Sequence, residues 1–181
     1  MEANTLYIHS DLVENSKRGD RSSQYRLFEL YVDAMYNVSM RMVHIKEDAE
    51  DIVQDSFVEA FNNLDTYRYQ SSFGSWLKRI VINRSINFLK KRKIAVIPFN
   101  NESFHLATDI PCKDEEITVE IEKVNKGIRL LPSGYQQILN LYLIEGYDHV
   151  EIGEILGISQ STSKSQYHRA KKKLIDIIKS L

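Results

Sequence analysis

The chain has 181 residues, 43% hydrophobic and 27% charged, the proportions of a globular protein with one large domain or two small ones. No apolar run nears the roughly 18 residues needed to span a bilayer, and a lone cysteine, Cys112, excludes an internal disulfide framework. The net charge of -1 argues against a uniformly basic nucleic-acid binder, yet it conceals large local imbalances.

The first ten residues lack the charged start and long apolar core of a signal peptide, so the expected compartment is the cytoplasm. Residues 1–24 read as a lead, either weakly ordered or a short helix. From Tyr25 to Ile45, Leu27, Leu30, Tyr31, Ala34, Met35, Val38 and Met42 recur at helical spacing. A second helix is expected over Asp48–Leu64, with Ala49, Ile52, Val53, Ser56, Phe57, Ala60, Phe61 and Leu64 on one stripe. Opposite that stripe Asp51, Gln54, Asp55 and Val58 share a face. No histidine falls in step with them, which favours a solvated acidic surface over a metal site. The stretch Asp65–Ser72 breaks the period, and a third helix is expected from Phe73 to Lys93.

Around that break the pattern is Tyr67-Arg68-Tyr69-x-x-x-Phe73-x-x-Trp76-x-x-Arg79. Aromatic rings interleaved with cations are the means by which single-stranded bases are stacked and their phosphates neutralised. The alternative buries Phe73 and Trp76 in the core and leaves Tyr67 and Tyr69 as half-exposed loop residues. Asn83, Arg84, Asn87, Lys90 and Lys91 continue the cationic surface, which suits phosphate contact.

Ile94–Asp114 holds Pro98 and Pro111 and no sustained period, as an interdomain linker would. Glu102-x-x-His105 has the spacing of half a di-iron site, but one copy in a linker does not make one. Ile121, Val124, Ile128 and Leu131 then mark a helix that stops at Pro132, and Tyr135–Glu145 marks another ending at Gly146. Asp148 and Glu151 form a capping box, Gly157 suits a left-handed helix end, and Ser159 can cap a last helix. Between Ser159 and Leu174 there are five cations and no acid, so the pair of helices reads as a helix-turn-helix.

Charge follows this organisation. His44–Leu64 balances at -5, Asp65–Lys93 at +7 and Ile94–Glu122 at -6, which implies separate faces for an anionic polymer and a basic partner. The glycines form no phosphate-cradling loop and no nucleophile elbow occurs, so neither catalysis nor a cofactor is expected.

Asp48-Ala-Glu-Asp51-Ile-Val-Gln54-Asp55-Ser-Phe57 resembles the core-binding segment of region two of bacterial RNA polymerase sigma factors. Phe73-x-x-Trp76-Leu77-x-x-Ile80-x-x-Asn83-Arg84 resembles its promoter-melting segment. Leu131-Pro132, Leu141-Tyr142-x-x-Glu145-Gly146-Tyr147-Asp148-His149-x-Glu151-Ile152 and the closing helix-turn-helix resemble region four. Two such regions with no domain between them are similar to the extracytoplasmic-function (ECF) subfamily.

The resemblance implies an all-α protein of two small helical domains: region two over 25–94, a flexible linker over 95–119 and region four over 120–181. It implies core RNA polymerase, promoter DNA and an anti-sigma factor as partners, without insertion into a membrane. Asp51, Gln54 and Asp55 would meet the polymerase clamp. Tyr67, Arg68, Tyr69, Phe73, Trp76, Arg79, Asn83, Arg84, Asn87, Lys90 and Lys91 would serve the minus-ten element, with a flipped base captured at Phe73 and Trp76. Gln160, Ser161, Thr162, Lys164, Ser165, Gln166, His168 and Arg169 would serve the minus-thirty-five element.

Three positions depart from the family pattern: Asn87 stands where aspartate is frequent, Ser163 where valine is usual, and Gln136 or Gln137 near a usual arginine. A free-standing helix-turn-helix regulator would account for Asp148–Leu174 but not for the aromatic loop or the Asp51/Gln54/Asp55 face. A small helical enzyme or metal protein is the other competing class.

Overall fold

The computed structural model describes residues 8–95 and 123–181, and contacts divide the chain into two units, Met1–Phe104 and His105–Leu181. Among the described residues every regular element is helical. The expected linker core, with Pro98, Pro111, Cys112 and the Glu102/His105 pair, lies outside the described residues, as does Ile121.

In the first unit α1 (Ser10–Lys17) leads to α2 (Arg21–Val43), α3 (Lys46–Asn62), a 3-10 turn (Leu64–Thr66) and α4 (Phe73–Ala95). Asp20 opens α2 by accepting the backbone N–H groups of Ser22 and Ser23. His44, at φ 61, closes it in a left-handed conformation, so α3 starts two residues later. α2, α3 and α4 each pack on the other two, and α1 packs on α2 and the 3-10 turn.

Of the two expectations for the first residues, the short helix is what forms, with Val13 fully buried. Leu27, Val53, Leu77, Ile82 and Ile86 fill the core, where α2 and α4 approach through buried Ser39 and Ser85. Ser85 also donates to the Val81 carbonyl, and Ser56 to that of Ile52, so these buried hydroxyls are satisfied within their own helices. The α2 stripe is narrower than its periodicity suggests: Leu30 and Ala34 face solvent.

In the second unit a helix over 123–129 (α5) precedes α6 (Ser133–Leu139), which runs into a π turn (Asn140–Ile144), then α7 (His149–Leu156) and α8 (Gln160–Ser180). The π turn interrupts the single helix expected over Tyr135–Glu145, and the Glu145 N–H reaches back five residues to the Asn140 carbonyl. Ile128, Leu131, Leu139, Ala170 and Leu174 form the core, whereas Val124 faces solvent. Gly127 lets α5 close on α8, since a Cβ there would lie 2.9 Å from Leu174 Cδ1. Gln136 donates its side-chain amide to the carbonyls of Arg129 and Leu131, so it ties off α5.

Leu27 is fully buried and Leu30 is 47% exposed, although both belong to the same apolar stripe. Leu27→Ala is expected to destabilise the first unit by about 2–5 kcal/mol. Leu30→Ala should stay within about 0.5 kcal/mol of wild type. Urea unfolding followed by the fluorescence of Trp76, the one tryptophan in the chain, measures both.

Candidate nucleic-acid interface

α3 turns Asp51, Gln54, Asp55 and Val58 to solvent, as the apolar spacing requires. Asp55 has a further role. Arg84 on α4 donates from Nη1 to Asp55 Oδ2 at 2.9 Å and from Nε to the Glu59 carboxylate. Asp55 and Glu59 are one turn apart, a separation that a guanidinium fork can bridge. Further along the same seam Arg92 Nη1 meets Asp48 Oδ2 at 3.2 Å. The acidic and basic blocks therefore meet between two packed helices and are not wholly separate faces. Arg84, expected to track DNA, is held by α3 as the structure stands.

The other α4 residues keep their outward direction. Trp76, Arg79, Asn83, Asn87 and Lys90 follow at intervals of three or four and share a face; all but the half-buried Trp76 are exposed, as is Lys91. Arg68 is exposed on the loop before them.

Beneath this stripe the aromatic residues divide. Phe73 is 1% exposed and Tyr67 3%, so neither ring offers a face to a base. The reason is local: the 3-10 turn directs Leu64 and Tyr67 inward, and the Tyr67 hydroxyl donates to the Ser71 carbonyl at 2.7 Å. Tyr67 and Phe73 form a floor under Trp76, with ring centroids 5.3 and 5.9 Å from its own. The burial alternative thus holds for Phe73 and extends to Tyr67, while Trp76, packed against both, is half-buried. Tyr69 is half-buried, in a left-handed conformation at φ 57.

In the second unit the helix-turn-helix is built as its end signals require. The Asp148 carboxylate accepts the N–H groups of Val150 and Glu151, and Glu151 returns the bond to the Asp148 N–H at 2.9 Å. Gly157 takes φ 72, where a β-carbon would be strained. Ser159 then caps α8 through the Thr162 N–H at 3.1 Å. Gln160, Ser161, Lys164, Ser165, His168 and Arg169 are exposed on α8. Thr162 and Gln166 are half-buried, and the Thr162 hydroxyl lies 2.8 Å from Ser159 Oγ, inside the cap.

His149 was not among the sequence candidates. Its Nδ1 lies 3.0 Å from Oγ of the fully buried Ser163, which couples α7 to the start of α8. The ring stacks on Tyr142 at 4.6 Å with planes 15° apart, and Tyr167 meets its edge at 5.6 Å. The signal was Ser163 itself, since a hydroxyl at a buried pivot needs a partner. Burial holds the His149 imidazole below its ordinary pKa, and the charges of Lys164 and His168 add to this against a weaker pull from Asp148. Among the described residues no cluster of histidine, cysteine and carboxylate groups could hold a metal ion, and no helix is long and apolar enough to cross a membrane.

These two modules match known families in the same order. Residues 27–94 match Sigma-70 region 2, and residues 121–174 match Sigma-70, region 4. The chain is 31% identical over 157 residues to RNA polymerase sigma factor YlaC of Bacillus subtilis (strain 168), an alignment that covers 85% of this chain and 91% of YlaC. It is 28% identical over 172 residues to the ECF RNA polymerase sigma factor SigW of the same organism, covering 90% and 92% of the two chains. The chain belongs to the ECF family of RNA polymerase sigma factors.

Its fold agrees with that of the sigma factor RpoE of Bartonella quintana, solved with the anti-sigma factor NepR: TM-score 0.60 at 21% identity, covering 86% of this chain and 96% of RpoE. As a sigma factor the protein directs promoter-specific initiation of transcription by RNA polymerase, a regulatory role.

The burial of His149 beside Lys164 and His168 is expected to make the region-four module of this sigma factor sensitive to acid. An unfolded histidine takes up its proton near pH 6.5, while the folded ring resists it. The unfolded state then binds more protons, so stability is full above the ordinary value and falls as pH drops below it. Thermal unfolding between about pH 7.5 and 5.5 should show this loss, and His149→Asn should reduce the slope.

Proposed function

We propose that the two modules divide promoter recognition between separated strands and duplex. Residues 25–94 bind core polymerase and hold the melted minus-ten element, residues 95–119 link the modules, and residues 120–181 grip the minus-thirty-five duplex. The observation that carries this reading is Trp76, a half-buried indole on a buried aromatic floor at the head of a polar, cationic helix face. A flipped base stacks on Trp76, with Tyr67 and Phe73 as support, while Arg68, Arg79, Asn83, Asn87, Lys90 and Lys91 line the path of its strand. Gln160, Ser161, Lys164, Ser165, His168 and Arg169 face the major groove.

Asp51 and Gln54 meet the polymerase clamp, and Asp55 contributes to the same surface while paired with Arg84. The sigma factor acts in the cytoplasm, contributes recognition and no bond chemistry, and needs no cofactor. An anti-sigma factor restrains it, by analogy with RpoE bound to NepR and CnrH bound to the cytosolic domain of CnrY.

Trp76→Ala in the holoenzyme should leave closed-complex formation intact and weaken opening. A stacked base contributes about 1–3 kcal/mol, or roughly 5- to 150-fold in the opening equilibrium. Permanganate reactivity of unpaired thymines measures opening and a mobility shift measures the closed complex; normal opening would make Trp76 core packing only. Lys164→Ala should instead weaken the closed complex and reduce the salt slope by about 0.9 for one lost phosphate contact.

Asp51 provides the cleaner test of polymerase binding, because a lysine at position 55 would also confront Arg84. Asp51→Lys should reduce capture of core polymerase with unfolding unchanged. Undiminished capture would remove this face from the interface.

A further inference from the structure

α1 touches the loop that leads to Trp76, and it does so through polar groups distant in sequence. Val13 and Ser16 are its buried side. On the adjoining face Glu14 and Lys17 pair at 2.9 Å, and both reach the loop. Lys17 Nζ donates to the Tyr67 carbonyl at 3.3 Å and lies 5.1 Å from the centre of the Tyr69 ring. Tyr69 Oη donates to Glu14 Oε1 at 2.7 Å. Burial and the Glu14 carboxylate raise the Tyr69 phenol far above its ordinary pKa, so it remains a donor at any physiological pH.

Tyr69 is the residue that most needs holding. Its φ of 57 is unfavourable for a side chain with a β-carbon, and such a conformation persists only where the surroundings enforce it. Tyr67, tied through its carbonyl, lies with its ring 4.7 Å from Tyr69 and 5.3 Å from Trp76. A continuous series of contacts therefore runs from Glu14 and Lys17 through the two tyrosines to Trp76.

The geometry points to α1 as a brace for the strand-capturing loop, with Glu14 and Lys17 as positioning residues for minus-ten recognition that themselves touch no DNA. This rests on the reading of Trp76 as the base-stacking residue. The brace sets the loop's shape, so it sets how well one base is preferred over another once the strands part. The duplex contacts of the helix-turn-helix are independent of it.

The test uses the full-length chain in holoenzyme with Glu14→Ala, Glu14→Gln, Lys17→Ala and Tyr69→Phe. Single-stranded minus-ten oligonucleotides differing at one base report preference, permanganate reports opening, and a mobility shift reports closed complexes. A hydrogen bond to a charged group governs the loop, so Glu14→Ala and Tyr69→Phe should each reduce opening by about 10-fold and flatten base preference. Closed complexes should stay within about 2-fold, because no phosphate contact is lost. Glu14→Gln should recover part of the opening, since its amide oxygen still accepts from Tyr69, and the Glu14→Ala/Tyr69→Phe double variant should be no worse than either single one. A helix that merely stabilises the fold would lower the unfolding temperature without altering base preference.

Unchanged preference in both Glu14→Ala and Tyr69→Phe, or additive losses in the double variant, overturns the brace. Tyr69→Phe keeps the core intact, so the outcome does not depend on Glu14→Ala folding. Trp76→Ala separates the two ideas: if it opens promoters normally the stacking reading fails, and if it is defective while the Glu14 and Tyr69 variants are normal only the brace fails.

Discussion

Buried Tyr67 and Phe73 set the height and tilt of Trp76, and the presentation of the region-two surface follows from that arrangement. A three-helix core of this size has few ways to seal its end. Here the 3-10 turn directs Leu64 and Tyr67 inward and the first residue of α4, Phe73, joins them. Trp76 comes one turn later and is left over the edge of the plug. An indole without that floor would be free to rotate, and stacking on a freely rotating ring would first have to order it. On the proposed reading, rigid support beneath the half-buried ring is the preorganisation that would favour stacking of an unpaired base.

The ion pairs between α3 and α4 follow orientation and contribute little to stability. Exposed pairs of this kind contribute roughly 0–1 kcal/mol, and the Arg84 and Asp55 side chains remain 36% and 69% exposed. The rotation of α4 is set by its buried Leu77, Val81, Ile82 and Ile86, and the pairs sit where that rotation brings Arg84 to α3. With Arg84 turned to Asp55 and Glu59, the residues a fraction of a turn away, Asn83 and Asn87, point outward beside Arg79 and Lys90. The seam also consumes part of the basic block's charge, leaving an outer face of mixed polar and cationic groups. On the proposed reading such a face would grip a strand without the unselective attraction of an uninterrupted lysine row.

What was legible in the sequence was local. Helical periods, the Asp148/Glu151 box, the Gly157 end and the Ser159 cap each depend on residues within four positions, and all were readable. What was not legible joins distant residues: α1 to the Tyr67–Tyr69 loop, Arg84 to Asp55 and Glu59, and His149 to Ser163. Periodicity states that a residue faces away from the apolar stripe but not which neighbouring helix it then meets. For that reason the sequence showed neither the α3 carboxylates that hold Arg84 nor the loop that α1 meets. The burial of Tyr67 was hidden for a different reason, since a short irregular turn has no period by which inward and outward could be told apart.

Region four holds its exposed α8 residues by another route, and on the proposed reading the contrast follows from what each module would bind. Duplex presents a groove of nearly constant shape, so a recognition helix need only be straight and fixed in angle. In α8 that angle is set twice: Ala170 and Leu174 lie in the core, and Ser163, nearer the DNA-facing end, is bonded to His149. The second point lies one turn from the cap, where a small rotation would displace Gln160, Ser161 and Lys164 the most. A separated strand has no fixed shape of its own, so on the proposed reading region two supplies the geometry that such a ligand lacks. It does so with a strained loop held at its backbone and hydroxyl, which is why the restraints there are polar and specific where those on α8 are largely apolar.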